Sequence, residues 1–162
     1  QKFSDYSVDA YRKRLKIPAY YKKSGDKWRD DMGKLMALPN INFSGKYYIG
    51  SHSCGADCRY YSLSDLSDGS DSNALDTFSD DGGNTSENRR RRIYVTTLVS
   101  RPNGRMLIVQ YHITQSDPSK EKCRERFFSL SDDERKVLPM KKPLNLAKDL
   151  AEATRMDRVE GR

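Results

Sequence analysis

The sequence predicts an α+β fold, in which a single antiparallel β-sheet of about five strands packs with one helix in the N-terminal half and one C-terminal helix. Two observations predict the sheet: side chains alternate between two faces in one pair of segments, and β-branched residues dominate another pair. A third observation, apolar residues at helical spacing, predicts the two helices. The strand segments are 47–52, 60–66, 93–99 and 105–111, and the helical segments are 24–36 and 144–156.

The composition is polar for a chain of this length. Its 162 residues fit a single domain, 1–162, but only 35% are hydrophobic and 33% are charged, so we expect a thin core. No apolar run approaches the about 18 residues that a transmembrane helix needs. The sequence therefore predicts one domain without a membrane span.

The N-terminal region is expected to hold a strand or extended arm, followed by a helix. Apolar and polar residues alternate in the first eight positions, which favours the extended arm. Ser24 is a candidate N-cap for the helix, and Pro39 stops it. We expect Trp28 to pack under the sheet rather than to stack on a nucleic-acid base. The apolar face of this helix comprises Trp28, Met32, Leu35 and Met36.

A hairpin with a cysteine turn follows the helix. Its two alternating runs flank the connection Cys-Gly-Ala-Asp-Cys at 54–58. Gly55 can adopt a left-handed backbone, and cysteines four residues apart can then reach the Cα separation of about 4.4–6.8 Å that a disulfide requires. Two other roles are open for these cysteines: zinc binding with His52 or His112 and Cys123, and a cysteine nucleophile beside His112.

Residues 67–92 are predicted to form a long polar inserted loop, anchored by Leu75 and Phe78 alone. Loops on a rigid frame carry specificity, so we assign partner binding to the charged residues of this loop. Residues 68–73 offer oxygen ligands for calcium but lack the spacing of an EF-hand loop. The predicted partner-binding residues are Asp68, Asp71, Asp76, Asp80, Asp81, Arg89, Arg90, Arg91 and Arg92.

The centre of the sheet is predicted to be the apolar pair 93–99 and 105–111, joined by a turn. Residues 125–130 read as a further strand, and 136–138 as a short final one. The four arginines before residue 93 either bind an acidic partner or protect the sheet edge from aggregation.

Charge and cysteine content bear on the partner and the compartment. The net charge of +7 would suit nucleic-acid binding, but an acidic block separates the basic segments, which favours solvated surface charge.

Three cysteines, two of them closely spaced, favour an oxidising compartment. The first residue is Gln1, which fits the mature end left by a signal peptidase and fits a recombinant start equally well. We therefore expect a periplasmic or secreted protein.

Five segments of the chain carry short motifs: 3–8, 42–47, 54–58, 65–69 and 105–109. Their patterns are close to Phe-x-Asp-Tyr-x-Val, Asn-Phe-Ala-Gly-Lys/His-Tyr, Trp-Gly-Cys-Gly-x-x-Cys, Asp-Leu-x-x-Gly and Arg-Leu-Leu-Ile-Val. In these motifs the chain resembles a family of small exported bacterial proteins, mostly of unassigned function. The resemblance implies export and a disulfide between Cys54 and Cys58, and it implies no catalysis. His52 and Ser53 depart from the family pattern, which has Trp and Gly there.

No catalytic residue, metal or cofactor is expected. The sequence contains no His-Glu-x-x-His, no phosphate-binding glycine loop and no Gly-x-Ser-x-Gly. Cys123 is left unpaired, either buried as a small apolar residue or bridging two copies into a homodimer.

These observations predict a bacterial protein-binding inhibitor of the immunity or antitoxin type. Such a protein is not an enzyme; it occludes a toxin or another enzyme of the cell envelope by shape and charge. Two alternatives are a nucleic-acid-binding protein that uses the basic segments, and an envelope enzyme with a Cys/His site.

Overall fold

Three antiparallel sheets make up most of the described structure. The computed structural model describes residues 2–55, 58–80, 93–114 and 117–141. Within these ranges the helices are 3-10 turns of three or four residues, at Phe3–Tyr6, Asp76–Phe78 and Pro118–Lys120. The sheets contain three, three and four strands.

The first sheet replaces the predicted N-terminal helix, so that prediction is wrong. Its strands are β1 (Lys22–Ser24), β2 (Lys27–Arg29) and β3 (Leu35–Met36), in the order β1-β2-β3.

Two glycines explain the difference between the predicted helix and this sheet. Gly25 and Gly33 have φ of 64° and 76°, a left-handed conformation that turns the chain between strands and is incompatible with a continuous helix. The face on which the helix would have packed is also not buried, since Met32 is 52% and Leu35 61% exposed. Trp28 is half-buried in β2 and does not belong to the core cluster.

The second sheet contains the cysteine hairpin predicted from the sequence. Its strands are β4 (Tyr47–Gly55), β5 (Cys58–Asp65) and β6 (Ser70–Ser72), in the order β4-β5-β6. The register of β4 and β5 runs from Tyr47 opposite Asp65 to Gly55 opposite Cys58. Part of the segment predicted as a loop thus forms β6 at the sheet edge.

The third sheet contains β7 (Ile93–Val99), β8 (Met106–Ile113), β9 (Lys122–Leu130) and β10 (Val137–Pro139), in the order β10-β9-β8-β7. β7 and β8 pair as a hairpin, as the β-branched run predicts. The prediction that both strands of this pair lie at the centre of the sheet is wrong for β7: it is an edge strand, with Ile93 58% exposed, and the central strands are β8 and β9.

One cluster of buried side chains joins the second and third sheets. The inner face of the cysteine hairpin contributes Tyr61 and Leu63, and the third sheet contributes Leu107 and Val109. Between them lie residues 74–78, where Leu75 is 0% and Phe78 is 4% exposed, which matches their predicted role as anchors.

The predicted fold class, α+β with one sheet of about five strands and two helices, is therefore wrong. The described part of the chain is mostly β, and its strands divide among three sheets. The predicted C-terminal helix, 144–156, lies outside the described residues. The described residues include no helix of the length and apolarity that crossing a membrane requires.

Candidate functional site

The outer face of the cysteine hairpin is polar, and the N-terminal segment covers it. Along β5 the inward side chains Tyr61 and Leu63 are buried in the core, while Tyr60 and Ser62 lie on the opposite face. His52 is opposite Tyr60 in the register, so it belongs to the same outer face. Nevertheless His52 is only 5% exposed, because side chains from residues 20–34 contact this face.

Three side chains form a chain of hydrogen bonds on this face, which we call the Asp30–His52–Ser62 relay. The Nδ1 atom of His52 lies 3.1 Å from Oδ2 of Asp30, and Nε2 lies 2.8 Å from Oγ of Ser62. With the proton on Nδ1 donated to Asp30, a neutral imidazole leaves Nε2 free to accept the hydroxyl proton of Ser62. This tautomer is the one that the carboxylate partner favours.

The carboxylate of Asp30 is fixed by the turn that follows it. Its Oδ1 accepts hydrogen bonds from the backbone N–H groups of Met32 and Lys34, at 3.0 and 2.8 Å. Burial tends to raise the pKa of Asp30, but hydrogen bonds from Lys34, His52 and Met32 outweigh that effect and lower the pKa below its ordinary value. Asp30 therefore stays ionised at neutral pH although it is 6% exposed.

Two tyrosines enclose the imidazole of His52. The ring of Tyr60 stacks on it, with centroids 4.7 Å apart and planes inclined by 19°. The hydroxyl of Tyr21 lies 3.0 Å from Oγ of Ser62 and 3.4 Å from Nε2 of His52. Burial raises the pKa of Tyr21, so its phenol keeps its proton and remains a donor at neutral pH.

Gly50 leaves the space that the relay occupies. A Cβ atom at this position would lie 2.6 Å from both Nε2 of His52 and Oγ of Ser62. Since real Cβ contacts are not that short, any other residue at position 50 would push the two groups apart.

An open cleft of about 780 Å3 lies beside the relay and is called the acidic cleft here. Ser62 and Tyr60 line it and so connect it with the relay. Five carboxylates and four tyrosines contribute to its walls, together with Arg135. The carboxylates are Asp65, Asp71, Asp76, Asp133 and Glu134, and the tyrosines are Tyr20, Tyr47, Tyr60 and Tyr61.

Hydrogen bonds hold parts of the cleft wall in place. Asp71 accepts hydroxyl hydrogen bonds from Tyr20 and Ser64, at 2.7 and 2.9 Å. Lys46 forms ion pairs with Asp65 and Glu134, at 3.1 and 2.8 Å. The carboxylates keep further lone pairs for a ligand, since each ionised carboxylate accepts about four hydrogen bonds.

The predicted partner-binding residues fall in different places. Asp71 and Asp76 line the acidic cleft. Asp68 is exposed and accepts hydrogen bonds from Ser70 in its own turn. Asp80 pairs with Arg59 through the backbone. Asp81 and Arg89, Arg90, Arg91 and Arg92 lie outside the described residues.

The cysteines of the hairpin form the predicted disulfide, which confirms that part of the sequence analysis. Cys54 and Cys58 are bonded, with their Cα atoms 5.1 Å apart. As a disulfide they offer neither zinc ligands nor a thiolate nucleophile.

The second histidine has a different set of partners. Nε2 of His112 lies 3.2 Å from Oε2 of Glu121, and Nδ1 lies 3.9 Å from Sγ of Cys123. Cys123 is exposed and unbonded, so it is not the buried apolar residue of one sequence-based alternative.

A cation could draw on Asp30, Asp31 and His52, whose ligand atoms lie within 4.8 Å of one another. Those atoms already have partners, however. Nδ1 of His52 is engaged by Asp30, and Oδ1 of Asp31 accepts the hydroxyl proton of Tyr60 at 2.7 Å. We therefore assign this cluster to hydrogen bonding rather than to a metal.

Sequence reasoning did not find the relay. Its members are 10 and 22 residues apart along the chain and belong to no local motif. One signal was present in the sequence: Tyr60, Ser62 and Ser64 alternate with Tyr61 and Leu63, which marks a polar outer face.

Comparisons with protein-family models, with curated proteins and with solved structures find no match to this chain. The family resemblance of its short motifs therefore stays a prediction.

Proposed function

We propose that this chain is an exported bacterial protein-binding inhibitor of the immunity or antitoxin type, and that its acidic cleft receives a basic side chain of the enzyme it occludes. The observation that carries the proposal is a contrast of charge. The chain as a whole has a net charge of +7, yet five carboxylates and one arginine line this cleft, and Lys46 pairs with two of the carboxylates, Asp65 and Glu134.

The chemistry of the cleft favours an arginine or lysine guest. Carboxylates bind a guanidinium group through paired, charge-assisted hydrogen bonds. Tyrosine rings contribute cation–π attraction and a large contact area at little entropic cost. Asp71 and Asp76 belong to this lining, and they are two of the residues that the sequence assigns to partner binding.

The disulfide supports the proposed periplasmic or secreted location. Disulfides persist mainly in oxidising compartments, and the Cys54–Cys58 bridge is formed here. A clamped hairpin would also present the cleft on a rigid frame, which lowers the entropic cost of binding.

The cleft can be tested without knowing the partner. We expect a short arginine-containing peptide to bind and to shift the NMR signals of Tyr20 and Tyr60. Replacing Asp71 and Asp76 together by asparagine should weaken the peptide about ten-fold, the effect of about 1.4 kcal/mol. A matched control makes the same charge change at two exposed positions away from the cleft, Asp5 and Asp117. Equal affinity in the two double variants would rule the cleft out as the binding site.

The inhibitory role needs an enzyme as the second component. An enzyme encoded beside this chain is the first choice, because toxins and their immunity proteins are commonly encoded together. We expect one equivalent of the chain to abolish the activity of that enzyme. The double variant at Asp71 and Asp76 should inhibit the enzyme less. The alternative of nucleic-acid binding predicts instead that affinity for DNA falls steeply between low and high salt.

A further inference from the structure

Ser62 lies where the Asp30–His52–Ser62 relay meets the acidic cleft. Its Oγ is 2.8 Å from Nε2 of His52, within the range of about 2.6–3.2 Å over which a base activates a nucleophile. Asp30 holds the other ring nitrogen at 3.1 Å. Ser62 is half-buried and is one of the residues that line the cleft, so a buried base lies next to a residue at a space that a ligand can enter.

The neighbouring Ser64 shows what a purely structural serine on this face looks like. Ser64 is 0% exposed, and its hydroxyl interacts with Asp71 at 2.9 Å and with Tyr20 at 3.1 Å. These partners are a carboxylate and a phenol, and neither is a histidine. Ser62, two residues earlier on the same strand, differs in having both an imidazole partner and access to the cleft.

Further features hold the nucleophile and its base together. Gly50 supplies the room for the Oγ–Nε2 contact, which a Cβ atom would close. Tyr21 fixes the Oγ atom from a second direction, at 3.0 Å. The carboxylate, imidazole and hydroxyl thus have the order and spacing of a Ser-His-Asp triad, which is recognised by geometry and not by sequence position.

We propose that Ser62 is a nucleophile for acyl transfer, with His52 as its general base and Asp30 as a positioning residue. The Oγ atom bonds to the carbonyl carbon of an ester, and the hydroxyl proton of Ser62 passes to Nε2 of His52. The bond from that carbon to the leaving oxygen then breaks, and the leaving alcohol takes the proton from Nε2. Water completes the cycle by hydrolysing the acyl-Ser62 ester through the same base.

The lining of the cleft defines the substrate class. Its carboxylates, Asp71 and Asp76 among them, favour an ester with a positively charged group and disfavour an anionic one. This activity goes beyond the proposed binding function. The assignment of Ser62 as a nucleophile does not depend on that binding function.

The direct test is covalent labelling of the native chain with a neutral fluorophosphonate. Such a probe bonds its phosphorus to an activated serine oxygen and releases fluoride. We expect one adduct per chain, located on Ser62 by mass spectrometry of the digested protein. An unlabelled native chain, or an adduct on another residue, would overturn the proposal.

Variants distinguish a serine that a base activates from a serine that is merely exposed to the probe. Ser62→Ala should abolish the adduct, and His52→Gln should slow labelling about 100-fold or more, the usual effect of a general base. Ser72→Ala is the matched control, because Ser72 lines the same cleft but contacts the backbone of Ala74 instead of a histidine.

Asp30→Asn should lower the labelling rate and alter the pH profile of that rate. A merely structural role for Asp30 would leave that profile unchanged in the fraction that stays folded, as measured by circular dichroism.

The substrate class has its own readout. Hydrolysis of an arginine ethyl ester should exceed that of the corresponding glutamate ester at least ten-fold. An equal rate for both esters would overturn the assigned class. The labelling probe carries no charge and does not test the binding of basic groups. Absence of labelling would therefore contradict the nucleophile without affecting the proposed binding function. Absence of peptide binding would contradict the binding function without affecting the nucleophile.

Discussion

The two histidines of this chain share one pattern in two different surroundings. Each lies between a carboxylate and a side chain that can act as a nucleophile. Around His52 the two distances are 3.1 and 2.8 Å, and the residue is 5% exposed. Around His112 they are 3.2 and 3.9 Å, and the nucleophile is exposed to solvent. The partners are Asp30 and Ser62 for His52, and Glu121 and Cys123 for His112.

The difference between the two sites arises from what covers them. The first sheet and the residues before it contribute Asp30 and Tyr21 to the face that carries His52. His112 lies in β8, and the neighbouring strand β9 is exposed over residues 122–126. Burial strengthens hydrogen bonds and makes an unmade one costly, so we expect the hydrogen bonds of His52 to contribute more to stability than those of His112.

The largest expected effect is that of Asp30→Ala. The change leaves His52 and two backbone N–H groups without their acceptor in a buried place, which should lower the free energy of unfolding by about 3 kcal/mol. Glu121→Ala, the matching change at His112, should cost about 0.5 kcal/mol or less because that carboxylate is exposed. Urea unfolding of both variants measures the contrast. Similar losses would mean that burial does not distinguish the two sites.

A smaller effect is expected for Gly50→Ala. Its new Cβ would approach Nε2 of His52 and Oγ of Ser62 to 2.6 Å, so the relay must open, at a cost of about 1–3 kcal/mol in the free energy of unfolding. Gly104→Ala is the control, since its nearest non-neighbouring atom would be 3.4 Å away. Thermal unfolding together with the fluorophosphonate labelling rate would detect the change. A variant as stable and as reactive as the parent would contradict the described contact.

The smallest expected effect is a dependence on pH. The folded chain lowers the pKa of Asp30 below the ordinary 3.8, so the ionised carboxylate stabilises the fold above that pH. This contribution should be lost as the pH falls through the folded-state pKa. The difference in unfolding free energy between the parent and Asp30→Asn should therefore shrink between about pH 5 and about pH 2. Urea titrations at both pH values measure it, and a difference that grows on acidification would have the wrong sign.

Local chemistry made several elements predictable. The β-branched run 93–99 specifies a strand because its side chains suit a pleated, half-buried surface, and β7 has those bounds. The disulfide was predictable because two cysteines four residues apart flank a hairpin turn. The helix predicted over 24–36 was wrong because apolar spacing was given more weight than the two turn glycines within it.

By itself, the sequence indicated the cysteine hairpin, the hairpin of β7 and β8 and a disulfide-compatible cysteine spacing, since each depends on residues that are neighbours along the chain or across one turn. Only the tertiary structure decided that Asp30, His52 and Ser62 meet, and that Asp71 and Asp76 share a cleft with Ser62. The physical reason is that these contacts depend on how residues 20–34 pack over the hairpin. That packing sets the burial of the histidine, and no local pattern of residues encodes it.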